Sequence, residues 1–374
     1  MSHLAEEYAK SCGVKIGEPI LKPHYFPVLE EKYITIHNDK KIQTKEYDYW
    51  ADVVTLLKEH IGDIKIIQIG AHGEEPIEGV DKHMPTATIK QCSYVLQKSL
   101  AHVGIDSVPV HIASALDKPV VGIYSHTYAN TCNPLWNKKS KAICIESKRD
   151  GQKPSFSLQE PVKMINKIMP EEIAQAVLDV LGIKKTITYK TISKGLNCNI
   201  KCVEIIPSKK TDIVSPFIDV RMDIDHNEDV LEYILQRNTA EVTLSNPLSE
   251  KFLASGRIKK IIYKSESFNK DFIKLIKKYA IPNALVCTSK QRLPKERHKV
   301  FDFLINKSIE ADIIQQNKKR FGDHDLNKLK IKSGKKTVCG DQVYETFYDF
   351  NGRENIDDFF LDLDWFTVYS DINE

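Results

Sequence analysis

The chain has 374 residues, of which 41% are hydrophobic and 28% are charged; this excludes a disordered or fibrous protein and favours two globular domains. The 54 basic and 51 acidic residues give a net charge of +3, too small to indicate a polyanionic partner by itself. Because the sequence contains no long apolar stretch and its N-terminus is polar, we expect a cytoplasmic protein without a transmembrane segment.

The first domain is predicted over 32–183, after an N-terminal helix and lead-in at 1–31. Short β-rich runs alternate there with amphipathic helical stretches, which is the pattern of parallel βαβ units in a doubly wound sheet. The predicted strands begin at Lys32, Asp63, Leu100, Pro119 and Ala142. The predicted helices lie at 48–60, 88–99, 109–116 and 170–181.

A second Rossmann-like domain is predicted over 184–310, beginning with a lysine-rich, β-prone connection at about 184–215. Its predicted strands begin at Ile218, Ala240, Ile258 and Asn283, and the helix after the last of them begins at Pro294 and runs to 307. The expected fold class is therefore α/β, with doubly wound parallel sheets in two Rossmann-like domains.

The remaining residues, 311–374, are expected to form an irregular C-terminal extension. A basic stretch at 318–336 precedes an acidic, aromatic segment. We expect these two parts to pair with each other or the aromatic side chains to pack on a domain face. A nucleic-acid patch is the less favoured alternative.

The eight cysteines are scattered, without the paired spacing of a zinc site. We expect reduced thiols, and neither a metal nor a cofactor.

The segment 104–127, GIDSVPVHIASALDKPVVGIYSHT, is the richest in chemistry. A predicted strand ends at Asp106, Ser107 has the character of an N-cap, and Pro109 suits the first helical turn. The helix start, its free N–H groups and the Ser107 hydroxyl would attract a phosphate, and His111 could face the same anion. The alternative is a plain cap and a core histidine.

Two further strand ends carry polar residues. Lys45 follows the first strand, and its ammonium could reach the edge of the sheet near Asp106. Glu74 and Glu75 lie in the segment IGAHGEEP, where a carboxylate could hold ribose hydroxyls. The alternatives are a solvated lysine and an exposed acidic loop.

In their order along the chain, these segments resemble the C-terminal, nucleotide-sugar-binding domain of the family 9 glycosyltransferases, the lipopolysaccharide heptosyltransferase type with a GT-B fold. The resemblance rests on YITIH, on Lys45 with Trp50, and on IGAHGEE and TIKQCSYVLQKS. Its most specific part is D-S-x-P-x-H-I-A-x-A-L-x-K-P, which starts at Asp106.

The resemblance implies a role for each matching residue. Lys45 would contact the donor phosphates, and Glu74 or Glu75 would hold the ribose. Asp106 would lie near the sugar or phosphate, with His111 on the following helix. The pyrophosphate would lie at Ser107 and the amides that follow, although Val108 replaces the usual glycine. Thr127 closes a turn in which Ser125 and His126 replace the usual glycine and proline.

The implied activity is metal-independent, inverting transfer of a sugar from a nucleoside-diphosphate-sugar donor to a hydroxyl acceptor, with a surface glycan as the first choice. The second domain would take the place of the acceptor domain, which in the family precedes the donor domain. Asp219, Asp223, Asp225 and His226 crowd one strand end there, and Asp223 or Asp225 is the candidate base. A solvated acidic loop is the alternative reading of these residues. The alternative functions are a non-catalytic nucleotide-sugar-binding or scaffold protein, and transfer to a non-glycan acceptor such as nucleic acid.

Overall fold

The computed structural model describes residues 2–39, 41–86, 88–289, 291–299, 308–322 and 324–371. These residues divide into two compact units, Met1–Tyr189 and Lys190–Glu374, called unit 1 and unit 2 below. None of the helices within the described ranges is long and apolar enough to cross a bilayer.

Unit 1 is built on a parallel sheet, the first sheet. Its strands are β1 (Tyr33–His37), β2 (Lys65–Gly70), β3 (Lys82–Pro85), β4 (His102–Ile105), β5 (Val120–Tyr124) and β6 (Ala142–Glu146). They lie in the order β3-β2-β1-β4-β5-β6. The structure confirms the predicted strands and adds the edge strand β3, whose sequence KHMP lacks β-branched residues and contains a proline.

Helices cover both faces of the first sheet. They are α1 (Leu4–Ser11), α2 (Trp50–His60), α3 (Ile89–Lys98), α4 (Val108–Ala115), α5 (Ala129–Cys132) and α6 (Pro170–Leu181), with a 3-10 helix at Met164–Lys167. One apolar core lies under α2 and α6, and another lies under α3 and α4. All five residues of β1 are buried because helices pack on both sides of it.

Unit 2 contains a mostly parallel sheet, the second sheet, in the order β12-β11-β10-β9-β8-β14-β15. Its strands are β8 (Cys202–Ile206), β9 (Phe217–Arg221), β10 (Ala240–Leu244), β11 (Ile258–Ser265), β12 (Asn283–Cys287), β14 (Lys335–Cys339) and the antiparallel β15 (Gln342–Tyr344). A third sheet has the order β13-β16-β7, formed by β7 (Tyr189–Lys194), β13 (Lys330–Ser333) and β16 (Phe366–Asp371).

The helices of unit 2 follow its strands. They are α7 (Glu228–Arg237), α8 (Glu250–Ala254), α9 (Lys270–Lys278), α10 (Leu293–Lys299), α11 (Ser308–Phe321), α12 (Phe347–Phe350) and α13 (Ile356–Leu361), with 3-10 helices at Leu326–Lys328 and Leu363–Trp365. The helix predicted from Pro294 begins at Leu293, and its remainder at 300–307 lies outside the described residues. The predicted fold class, α/β with two Rossmann-like parallel sheets, is confirmed.

Two segments, which were expected to be a connection and an irregular extension, contribute strands to the sheets of unit 2. The connection at 184–215 contains β7 and β8, and the expected extension at 311–374 supplies β14 and β15 to the second sheet. The basic and acidic parts of 311–374 also pair, with Lys318 2.8 Å from Asp357 and Lys336 2.8 Å from Glu345. Its aromatic side chains form a core of their own around Phe359 and Phe366.

Candidate functional site

The strand order of the first sheet creates a switch point at its carboxyl edge. β1 and β4 are neighbours there. The strands that follow β1 in the chain, β2 and β3, lie on one side of this pair, and β5 and β6 lie on the other side. Ligands of doubly wound sheets bind in the crevice at such a point. His37 ends β1, and Asp106 and Ser107 follow β4 directly.

Asp106 is the centre of a polar cluster at this edge. The ammonium of Lys45 donates to the Asp106 carbonyl and to its Oδ2, both at 3.0 Å. The Thr127 hydroxyl donates to Oδ2 at 3.4 Å, and Nε2 of His111 lies 3.7 Å from Oδ1. The structure thus brings four of the residues named from the sequence into one cluster.

The charge on Asp106 is stabilised by these partners. Burial would raise the pKa of Asp106, but the contacts with His111 and Lys45 outweigh it and hold the pKa below its ordinary value. An ammonium has three N–H donors, and Asp106 takes two of those on Lys45. Among the described residues the third has no partner, so it can serve a phosphate oxygen.

Ser107 occupies the predicted N-cap position of α4, and its side chain makes no capping hydrogen bond. Its hydroxyl donates to the Ile105 carbonyl at 3.2 Å and lies 2.9 Å from Nδ1 of His37. The first turn of α4 therefore keeps N–H groups for another acceptor. Val108 opens this turn with a side chain that is 56% exposed, so it lies where an approaching anion would meet it.

The two glutamates proposed to hold the ribose differ in their surroundings. Glu75 is exposed. Glu74 is 14% exposed, its Oε2 lies 4.0 Å from Nε2 of His37, and this buried oxygen accepts no hydrogen bond within the described residues. A Cβ at Gly70 would overlap Oε2 of Glu74, so glycine is what lets the carboxylate fold back over the end of β2. Glu74 is therefore the better candidate.

His37 lies between Glu74 and the start of α4, and no role was predicted for it from the sequence. Burial lowers the pKa of His37 more than the nearby carboxylate of Glu74 raises it, so the imidazole is neutral at pH 7. Its position at the end of a predicted strand was the available signal.

A cavity of about 360 Å³ opens beside this edge. Its polar wall includes His37, Glu74 and Ser107, and its apolar wall includes Ile89 and Val108. Such a size and mixture of walls are typical of sites for small organic ligands.

Arg149 holds the loop that carries Thr127, and it too was missed from the sequence. The buried guanidinium donates from Nε to the Ser125 carbonyl at 3.0 Å and from Nη2 to the Thr127 carbonyl at 2.8 Å. It also pairs with Glu146. Nothing in the local sequence signals these contacts, because Arg149 reaches the loop across two neighbouring strand ends.

The candidate bases Asp223 and Asp225 lie in unit 2. Both oxygens of Asp223 accept hydrogen bonds from Arg221, at 2.7 and 2.9 Å. Asp225 follows in the same turn and has no side-chain partner in the part of the chain that the structure describes. Asp225 is thus the more available proton acceptor of the two.

The strand-end cluster and the cavity lie within a segment that comparison with known families identifies. Residues 13–165 match the family described as glycosyltransferase family 9 (heptosyltransferase). The match covers 153 residues, which is less than half of the chain. The matched segment contains Lys45, Glu74 and the Asp106 cluster, and no curated protein matches the chain.

Solved structures similar to the chain include three heptosyltransferases. ADP-heptose lipopolysaccharide heptosyltransferase II of E. coli is 16% identical with a TM-score of 0.32, covering 48% of this chain and 52% of that one. E. coli heptosyltransferase WaaC, with ADP-2-deoxy-2-fluoro heptose, is 18% identical with a TM-score of 0.31, covering 46% and 53%. Iron-containing heptosyltransferase TibC of enterotoxigenic E. coli, in complex with ADP-D-beta-D-heptose, is 15% identical with a TM-score of 0.35, covering 45% and 51%. The chain spans about half the length of these structures.

In the ranges that the structure describes, no group of three or more His, Cys, Asp or Glu side chains is placed to hold a metal ion.

Proposed function

We propose that the protein is a glycosyltransferase that binds a nucleoside-diphosphate sugar at the carboxyl edge of the first sheet and transfers the sugar to a hydroxyl acceptor. The observation that carries the proposal is the Lys45–Asp106 pair beside the start of α4. It combines an ammonium with a spare donor, a helix N-terminus and an adjoining cavity at one switch point. The match of residues 13–165 to family 9 supports it.

In this proposal the diphosphate lies between Lys45 and the first turn of α4. The third N–H of Lys45 and the positive end of the helix stabilise the negative charge that develops on the departing diphosphate, without a metal ion. Asp106 holds Lys45 and His111 in place. Thr127 fixes the carboxylate of Asp106 from the other side.

The nucleoside fits the 360 Å³ cavity, with its ribose beside Glu74. The unpartnered Oε2 of Glu74 would accept a hydrogen bond from a ribose hydroxyl. The apolar wall at Ile89 and Val108 would lie against the base. Val108 narrows the approach to the diphosphate compared with a glycine.

The acceptor is proposed to be a sugar hydroxyl of a surface glycan, attacking with inversion at the anomeric carbon. A carboxylate takes the proton from this hydroxyl, and Asp225 is the candidate we retain because Arg221 occupies Asp223.

A donor panel tests the proposal. The pure protein is heated with saturating ADP-, GDP- or UDP-sugars in EDTA. Donors with one of these three nucleobases are expected to raise the unfolding temperature, because a ligand at 100 times its Kd adds about 2.7 kcal/mol of stability. Donor hydrolysis or transfer to added glycans is then measured with that nucleotide. No stabilisation by any donor would contradict the proposed site.

A second candidate is a non-catalytic nucleotide-sugar-binding protein. The engagement of Asp223 favours it, because Arg221 occupies both oxygens of this candidate base and leaves Asp225 as the sole candidate named from the sequence. Binding of a donor with neither hydrolysis nor transfer across a range of acceptors would select this candidate.

A further inference from the structure

His37 is a buried histidine at the carboxyl edge of the first sheet, where it ends β1. Its side chain is 8% exposed and lies in the wall of the 360 Å³ cavity, together with Glu74 and Ser107. Nδ1 of the ring faces Ser107, and Nε2 faces Glu74. The proton on the ring therefore decides what this wall offers to a ligand.

The contacts of Ser107 determine which nitrogen of His37 carries the proton. A hydroxyl has one proton to donate, and that of Ser107 goes to the Ile105 carbonyl, which can only accept. Oγ of Ser107 therefore accepts a hydrogen bond from Nδ1–H of His37, 2.9 Å away. Because burial lowers the pKa of His37, the imidazole is neutral at pH 7 and Nε2 presents a lone pair.

The opposite tautomer does not fit these contacts. With the proton on Nε2, Ser107 would have to donate to Nδ1, and its contact with the Ile105 carbonyl would contain no proton. The Nε2 proton would also lack an acceptor within the described residues, because Oε2 of Glu74 is 4.0 Å away, beyond hydrogen-bond distance. The Nδ1–H tautomer leaves no donor unused.

The cavity wall thus presents two acceptors side by side. Among the residues that the structure describes, no group donates to Nε2 of His37 or to the carboxylate of Glu74. A buried acceptor without a donor is unfavourable, so a ligand that brings a proton to each of them is preferred over one that does not. Hydroxyls on two neighbouring carbons can reach two acceptors that are 4.0 Å apart.

We propose that His37 determines specificity for the ribose of the donor, because its Nε2 accepts a hydrogen bond from one ribose hydroxyl while the Glu74 carboxylate accepts one from the neighbouring hydroxyl. The inference rests on the proposed nucleotide-sugar site and adds a second acceptor to it. A deoxyribonucleotide lacks one of the two protons and leaves a buried acceptor unpaired. The site therefore selects ribonucleotide donors.

Calorimetric titration of the full chain at pH 8 tests the proposal. ADP, GDP and UDP are compared first, and the tightest binder is then compared with its 2′-deoxy and 3′-deoxy forms. We expect each deoxy form to bind about ten- to hundredfold more weakly. Equal binding of the ribonucleotide and both deoxy forms would overturn the role of His37 and leave the nucleotide site standing, whereas absence of binding by all three ribonucleotides would overturn both.

Substitution assigns one hydroxyl to His37. Asparagine places its amide near the position of Nδ1, so His37→Asn keeps a donor for Ser107 and removes the acceptor at Nε2. We expect about tenfold weaker ribonucleotide binding and loss of the discrimination against one deoxy form only. Glutamine places its amide near Nε2, so His37→Gln should restore that discrimination.

His83→Asn is the matched control, since His83 is a half-buried histidine on β3 of the same sheet and does not line the cavity. It should change neither the affinity nor the two discrimination ratios. Weaker binding of all nucleotides in His37→Asn with both ratios unchanged would show that His37 is only structural, and would overturn the proposal.

Nitrogen-15 NMR of the free protein at pH 8 identifies the tautomer directly, with the spectrum of His37→Asn assigning the ring signals. A nitrogen that bears a proton and one that presents a lone pair have well-separated shifts. We expect the proton on Nδ1. A proton on Nε2, or a charged ring at this pH, would overturn the proposal.

Discussion

Asp219 is predicted to destabilise unit 2 at alkaline pH, and Asp219→Asn to remove that effect. Partial burial of this carboxyl group and the neighbouring charge of Glu204 raise its pKa from 3.8 to about 7 in the folded chain. The folded state therefore keeps the proton between these two values while the unfolded chain has lost it. Stability is highest below the unfolded pKa and falls as the pH rises to 7.

The size of the effect follows from the shift. Each pKa unit corresponds to 1.36 kcal/mol, so ionisation of Asp219 costs the folded state about 4 kcal/mol at pH 8 relative to pH 4. Asparagine cannot ionise, and its amide oxygen can accept the hydrogen bond from Thr243. We therefore expect Asp219→Asn to match the wild type near pH 4 and to exceed its stability by up to about 4 kcal/mol at pH 8.

Hydrogen exchange of peptides from β9 and β10, measured at several urea concentrations, reports the free energy of the opening reactions that expose these strands. Glu241→Gln should change it by under about 1 kcal/mol at either pH, because Glu241 forms a surface ion pair. A stability gain in Asp219→Asn that is equal at pH 4 and pH 8, or a loss at pH 8, would refute the reasoning.

Further predictions concern unit 1. Glu74→Gln should weaken nucleoside diphosphate binding about tenfold in calorimetry and leave inorganic diphosphate binding unchanged, whereas Glu75→Gln should change neither; equal effects would show that Glu74 does not hold the ribose. Val108→Gly should strengthen nucleoside diphosphate binding, measured in the same way, because it opens the approach to α4; weaker binding would contradict the crowding. Arg149→Lys should lower the urea-unfolding free energy of the unit by about 1–3 kcal/mol, because lysine cannot reach both the Ser125 and Thr127 carbonyls; an unchanged value would show that this loop is held by other contacts.

The regular parts of the fold could be predicted from the sequence because their patterns are local. β1, β2, β4 and β5 are mostly apolar and lack the regular polar alternation of a half-exposed sheet, as expected of strands covered on both faces. β3 and β14 could not be predicted in this way. The first contains a proline, and the second joins β8 across more than a hundred residues, which no local pattern reports.

The sequence was sufficient to predict which strand ends form the candidate site. Lys45, Asp106, His111 and Thr127 could be placed together because the carboxyl ends of parallel strands share one edge.

Other features depend on tertiary contacts. The choice between Glu74 and Glu75 depends on the carboxylate of Glu74, which folds back over Gly70. The position of the Ser107 hydroxyl depends on His37, which it contacts instead of capping α4. The alternation of polar and apolar residues in FIDVR and AEVTL is a local signal that one face of the second sheet is polar at Asp219 and Glu241.

The central claim is that Lys45 and the start of α4 bind the diphosphate of a nucleotide sugar. Calorimetric titration of the full chain with ADP, GDP and UDP in EDTA tests it most directly, with Lys45→Met beside Lys82→Met. Lys82 also forms a partly buried ion pair in unit 1, with Glu30, and does not line the cavity. We predict one-to-one binding of at least one nucleotide, a ten- to hundredfold loss in Lys45→Met and no loss in Lys82→Met. Absence of binding by all three nucleotides, or undiminished binding in Lys45→Met, would contradict the claim.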